Sequence, residues 1–176
     1  EMNISPGNLY YHFRNKDEII GELYAAYESE ATPLFVAPAG RAAGVEDLWL
    51  MLHLLFERMW TYRFLFRDLD ELASRNRRLA SRFADLVRRG ESTVIELCEG
   101  MVAAGTMRAS RREIAALARN VAIVATYSLS FQRIENTAAG EFPRLDHAAY
   151  QVLALVAPFM SGDSRALIER LGEQYL

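Results

Sequence analysis

Apolar residues recur at helical spacing along nearly the whole chain, and clusters of Gly, Pro and Ser cut the pattern into segments. The cuts fall at 38–44, 105–110, 140–143 and 161–164. In the first segment Ser5 stands before Pro6, an N-cap followed by proline at the first helical position, so a short helix is expected to run to about Phe13. Asn15 offers a second cap, and Asp17 and Glu18 complement the positive end of the helix that follows. That helix carries its apolar face on Ile19, Ile20, Leu23, Tyr24 and Tyr27.

The second segment starts near Val45. Leu48, Met51, Leu52, Leu55, Phe56 and Met59 form one stripe, while Trp49, Leu54, Trp60 and Phe64 lie off it, so this helix is expected to be covered on several sides. A bend is expected over 68–74. A long helix over about 75–104 follows, with a break expected near Gly90 and a basic opening in Arg75, Arg77, Arg78, Arg82, Arg88 and Arg89. From Glu113 to Ile134 small residues recur (Ala115, Ala116, Ala118, Ala122, Ala125, Ser128, Ser130), which lets helix axes approach closely. The helix over about 145–160 is apolar nearly all round, and a last helix over about 164–175 should lie on the surface. Two helices with so little polar face need partners on both sides. A second copy about a two-fold axis would supply the missing one, with Ala118, Ala122, Ala125, Val152, Val156 and Phe159 as candidate contacts.

Composition agrees with a folded all-α protein: 51% of the 176 residues are hydrophobic and 24% charged, with few Gly and Pro. One cysteine, Cys98, excludes an intramolecular disulfide framework and a cysteine-rich zinc module. Its place in an apolar helix makes it a core residue rather than a nucleophile. His12, His53 and His147 are scattered without metal-ligand spacing, so no metal and no cofactor is expected. No nucleophile triad, phosphate-cradling glycine loop or paired-carboxylate motif occurs, and catalysis has no positive sign. The opening residues lack the charged start and apolar run of a signal peptide. The most apolar stretch, 148–160, is short of the roughly 20 residues that span a bilayer. A soluble cytoplasmic protein without a membrane partner is expected.

The net charge of −3 gives no general attraction to nucleic acid, and over residues 1–41 only Arg14, Lys16 and Arg41 face six acids. Local geometry says more. In Ile4-Ser-Pro-Gly-Asn-Leu-Tyr-Tyr-His-Phe13, Leu9 and Phe13 share one face, which must be the buried one. The other surface then presents Gly7, Asn8, Tyr10, Tyr11 and His12. Glycine admits a phosphate backbone, tyrosine and histidine hydrogen-bond phosphate oxygens, and asparagine matches a base edge in the major groove. Lys16 adds a charge at a positive helix end, a natural phosphate site. The Arg75–Arg89 run is better read as a solvated helix face than as a second nucleic-acid surface.

The string SPGNLYYHFRNKDEI resembles the recognition helix and following helix start of the TetR family of transcriptional regulators, closely over Asn3 to Leu23. The resemblance implies a helix-turn-helix that a homodimer inserts into double-stranded operator DNA. By matching positions it makes Ser5, Gly7, Asn8, Tyr10, Tyr11, His12 and Lys16 the DNA contacts and Leu9 and Phe13 core. Asn3 stands where family members usually have the turn glycine, a mild departure because asparagine tolerates left-handed backbone angles. The family's first helix and most of its second would precede Met2, so the reading half of the motif is expected here without the scaffold that orients it.

The organisation implied is residues 1–37, the end of the DNA-binding domain and a connecting helix, then 38–176, a helical domain for ligand binding and dimerisation. The resemblance also implies a small-molecule effector that lowers operator affinity, and repression rather than activation. Met51, Phe56, Trp60, Phe64, Met101, Tyr127 and Phe131 are the candidate pocket residues; plain core packing explains the same aromatic and methionine side chains. A helical small-molecule carrier or an enzyme without DNA binding would account for the apolar middle, but not for the string from Asn3 to Lys16. A purely structural interaction role is a third reading.

Overall fold

The computed structural model describes Phe13 and residues 15–135 and 145–175. Among these residues every regular element is helical: α1 (Lys16–Ala31), a 3-10 turn (Thr32–Leu34), α2 (Val45–Thr61), α3 (Arg63–Arg67), α4 (Leu69–Arg75), α5 (Arg77–Ala103), α6 (Arg111–Glu135), α7 (Leu145–Val156), a second 3-10 turn (Ala157–Phe159) and α8 (Gly162–Glu173). The short helix expected up to Phe13 lies outside the described residues, apart from Phe13 itself, which is half-buried and not helical.

The helices begin where local chemistry satisfies their free N–H groups. The Asn15 side chain accepts from Glu18 N at 2.9 Å, and the Asn76 side chain accepts from Leu79 N at 3.0 Å. Ser110 and Glu113 form a reciprocal capping box, with Glu113 Oε2 accepting from Ser110 N at 2.7 Å and Ser110 Oγ from Glu113 N at 3.3 Å. At the other end of α5, Gly105 takes φ 76°. There Thr106 N donates to Met101 O and Gly105 N to Val102 O, both at 3.0 Å, which closes the helix as a Schellman turn. The residues beyond are tied to the end of α7, Arg108 N donating to Phe159 O and Ser161 N to Thr106 O.

Two expected irregularities differ in the structure. Residues 69–75 are helical, and the chain turns instead at single residues, Tyr62, Asp68 and Asn76, two of which spend their side chains on an ion pair with Arg67 and on a helix cap. Helix α5 also runs through Gly90 unbroken. The glycine makes room for Phe35, whose ring would stand 3.2 Å from a Cβ at that position. Gly100 does the same for Ala43. Pro158 stops α7 short of residue 160, turning 157–159 into a 3-10 turn.

One core joins α1 to α8. Ile20, Tyr24, Tyr27 and Ala31 of α1 are buried in it together with the α2 stripe, Leu65 and Phe66 of α3, and the inward faces of α5, α6 and α7. Helix α1 therefore shares the core of the segment from 38 onward, although an irregular stretch of chain joins them. Of the off-stripe residues of α2, Trp49, Leu54 and its neighbour in α3 Phe64 are half-buried and Trp60 is exposed. Helix α8 is less superficial than its polarity suggests, since Ile168 is buried and Gly172 seats the ring of Tyr150. Over 111–132, α6 is long and apolar enough to cross a membrane by length and composition. It packs against α3, α5 and α7, yet only a third of that stretch is buried.

Candidate ligand cavity and the helix that reaches it

A cavity of about 60 Å³ lies between α2, α5 and α6. Its walls are aliphatic and aromatic: Met51, Leu52, Leu55 and Met59 from α2, Phe83, Leu86, Val87 and Val94 from α5, and Ala118, Val121, Ala122 and Ala125 from α6. Small side chains on α6 facing large ones on α2 leave this space. Two more walls come from the N-terminal side, Tyr27 of α1 and Phe35 just beyond the first 3-10 turn. Glu91 is the one ionisable group among the lining residues apart from the Tyr27 phenol, and Thr126 adds a hydroxyl. Burial drives the Tyr27 phenol far above its usual range, so it stays neutral.

The cavity adjoins an outer cleft of about 310 Å³ over α4, α5 and α6, with Phe83, Val87, Glu91, Ala122 and Thr126 common to both. Arg88, Arg119, Asp70 and Tyr127 stand around this cleft. Arg119 Nε lies 2.9 Å from Glu91 Oε1 without the alignment of a hydrogen bond, and that oxygen is sealed from water.

Helix α1 is fastened to the bundle on two sides. Glu28 pairs with Arg82 of α5, whose guanidinium also lies over the Tyr24 ring, 5.1 Å from its centroid. Glu30 accepts from the Tyr62 hydroxyl at 2.7 Å and lies 3.5 Å from Arg58. Tyr27 meets Tyr62 and Phe66 edge to face, at 5.6 and 5.2 Å between centroids.

Of the DNA-contact candidates, Ser5, Gly7, Asn8, Tyr10, Tyr11 and His12 lie outside the described residues. Lys16 is exposed on the first turn of α1, and with Asp17 and Ile20 it borders a small cleft toward Glu71 and Arg75 of α4. Among the pocket candidates only Met51 lines the cavity. Phe56 and Met101 are buried core elsewhere, Phe64 is half-buried, and Trp60 lies on the surface beneath Arg63. Tyr127 and Phe131 point outward from α6. Aromatic and methionine side chains filled space, and alanines made it.

Of the candidate contacts between copies, Ala118, Ala125, Val152 and Val156 are buried within the chain, and Ala122 and Phe159 are partly exposed. Ala118, Ala122 and Ala125 face the cavity, Val152 and Val156 are wholly inside the chain, and Phe159 packs on the core edge. A partner cannot touch the four that the chain itself covers. The outward apolar residues of the same region are Ile123, Tyr127, Phe131 and Ile134. The first three, with His147, Ala148 and Gln151 of α7, border an open groove of about 570 Å³.

Half of the arginine run from 75 to 89 is engaged in ion pairs: Arg75 with Glu71, Arg82 with Glu28, Arg88 with Asp85. Cys98 is fully buried, and burial pushes its thiol up to about 12, which makes it unreactive near neutrality. Among the described residues no three His, Cys, Asp or Glu side chains are grouped to hold a metal ion.

Residues 26–168 match the family model TetR, described as a bacterial transcriptional repressor. The chain is also similar to the crystal structure of a TetR-family transcriptional regulator from Marinobacter aquaeolei VT8, at 32% identity and a TM-score of 0.81 over 98% of this chain and 83% of that one. No curated protein matches.

Proposed function

Because the chain belongs to the TetR family of DNA-binding transcriptional regulators, which are not enzymes, we propose that it is a cytoplasmic, homodimeric repressor released from operator DNA by a small molecule. The observation that carries this reading is the shared wall. Tyr27 and Phe35 line the cavity; Tyr27 belongs to the helix that follows the proposed DNA-reading string, and Phe35 lies just beyond the 3-10 turn after it. A space of about 60 Å³ holds roughly two water molecules. A larger body held inside it, rather than in the adjoining cleft, must move its walls. Phe35 is already against Gly90 and has no room toward α5. The displacement then passes to α1, across the Glu28–Arg82 and Glu30–Tyr62 contacts.

In a dimer this shift changes the separation of two reading heads. A ligand that binds the DNA-incompetent spacing more tightly lowers operator affinity by that same difference. The exposed apolar face of α6, bordered by α7, is the proposed surface between copies. Ser5, Gly7, Asn8, Tyr10, Tyr11, His12 and Lys16 are the proposed DNA contacts.

A gel-shift assay on the product of the entire open reading frame, with the DNA upstream of its gene, tests the reading. Specific, salt-sensitive binding is expected, and Tyr11→Ala should weaken it by about tenfold or more, a contact worth roughly 1–3 kcal/mol. Absence of specific binding, together with no effect of Tyr11→Ala, would leave a helical carrier as the better description.

A further inference from the structure

We propose that the occupant of this cavity is an amphiphilic cation, with an apolar body inside and an ammonium or other cationic nitrogen at Glu91. The proposal rests on the cavity being the effector site and adds the chemical class of the effector. Glu91 stands where the inner cavity and the outer cleft meet, and its residue lines both. Its side chain is only 13% exposed, and its Oε1 is out of water with no hydrogen bond. The neighbouring Arg119 approaches from the solvent side, with a side chain 66% exposed, and is misaligned. A buried carboxylate oxygen without a hydrogen bond is costly to the folded protein. A ligand N–H aligned with that oxygen takes over from Arg119 as the partner of this carboxylate and releases the mostly exposed guanidinium to water, where it loses little.

An anionic head fits the same place poorly. It would sit beside Glu91 in a region of low dielectric, where like charges repel strongly. The cations at the outer cleft, Arg88 and Arg119, are each paired already, with Asp85 and Glu91, and both are mostly in solvent. Asp70 adds a second acid to the cleft. The surrounding side chains of the inner cavity offer apolar contact and the Thr126 hydroxyl. The body of the ligand is therefore hydrocarbon, and its polarity is concentrated at one end.

Three probes of one length separate the possibilities: hexylammonium, hexanol and hexanoate, measured by calorimetry and by the shift in melting temperature. Hexylammonium should bind about tenfold more tightly than hexanol, the value of one charge-assisted hydrogen bond, and hexanoate most weakly. Glu91→Gln should reduce hexylammonium to the level of hexanol and leave hexanol unchanged. Arg119→Gln, which removes the competing cation, should widen the preference for hexylammonium. Ala122→Phe, which fills the junction of cavity and cleft, should abolish binding of all three. Hexanoate or hexanol binding as tightly as hexylammonium, or an ammonium preference that survives Glu91→Gln, overturns the cationic class. If hexanol binding is then lost in Ala122→Phe, the cavity remains the ligand site and only its chemistry was misread. If no probe binds, or all bind equally well to Ala122→Phe, both the class and the cavity reading fall.

Discussion

Asp47 illustrates how much a single residue settles locally. Its carboxylate accepts from Gly44 N at 2.8 Å and pairs with Arg41, so it both caps α2 and pins the irregular stretch before it. The hydrogen-bonded Arg41 guanidinium holds its carboxyl below the usual carboxylate range. A depressed folded pKa gives stability that is present above the unfolded value and is lost as pH falls through the folded one. Urea unfolding should therefore show Asp47→Ala less stable than the parent at pH 7, with the gap closing toward pH 3. A gap of constant size would mean that the charge of Asp47 has no part in it. Such polar residues were only partly legible. Asn15 announced its cap, because asparagine before two acids has few other uses. Glu91 did not stand out, because nothing adjacent in sequence says that an acid in a helix faces a cavity. Its significance comes from α2 and α6, which lie far away along the chain.

At the scale of the element, most helices could be read from apolar spacing, and the misreadings have a common cause. The expected break at Gly90 treated glycine as a weak helix former, whereas Phe35 occupies the space the missing Cβ leaves. The expected bend over 68–74 treated a polar run as a turn, whereas single residues turn the chain on either side of α4. Glycine has opposite roles at two other positions, and substitution separates them. Gly105 holds φ 76° in the Schellman turn, so Gly105→Ala should lower stability by about 1–2 kcal/mol. Gly21 lies within α1, where an added methyl group would meet nothing within 4 Å, so Gly21→Ala should raise it by about 0.5–1 kcal/mol. Chemical denaturation midpoints, with unchanged denaturant dependence, would report both; a Gly105→Ala protein no less stable than the parent would refute the assignment of Gly105 to the turn.

For the whole molecule, the all-α architecture and the family were legible, the first from periodicity and the second from the ordered string Ser5 to Ile19. Partition of the apolar residues was not. Alanines on α6 were expected to let two copies approach, and Ala118, Ala122 and Ala125 line the cavity; a helix with two apolar faces does not announce which one meets its own chain. The outward face carries Ile123, Tyr127 and Phe131. Phe131→Glu should therefore convert a dimer to monomer by light scattering, with the helical circular dichroism retained. A dimer that persists would place the interface elsewhere.

Tyr27, Phe35 and α1 are the proposed coupling between the cavity and the DNA-reading segment, on which the regulatory mechanism depends. Fluorescence anisotropy of labelled upstream DNA, titrated with the entire gene product carrying Ala122→Phe, tests it most directly. A phenylalanine at the cavity mouth should act as a permanent occupant and weaken operator binding by at least about tenfold, a coupling within the usual 1–3 kcal/mol, while dimerisation and thermal stability are kept. Operator affinity equal to that of the parent protein, with the cavity filled and the dimer intact, would contradict the coupling.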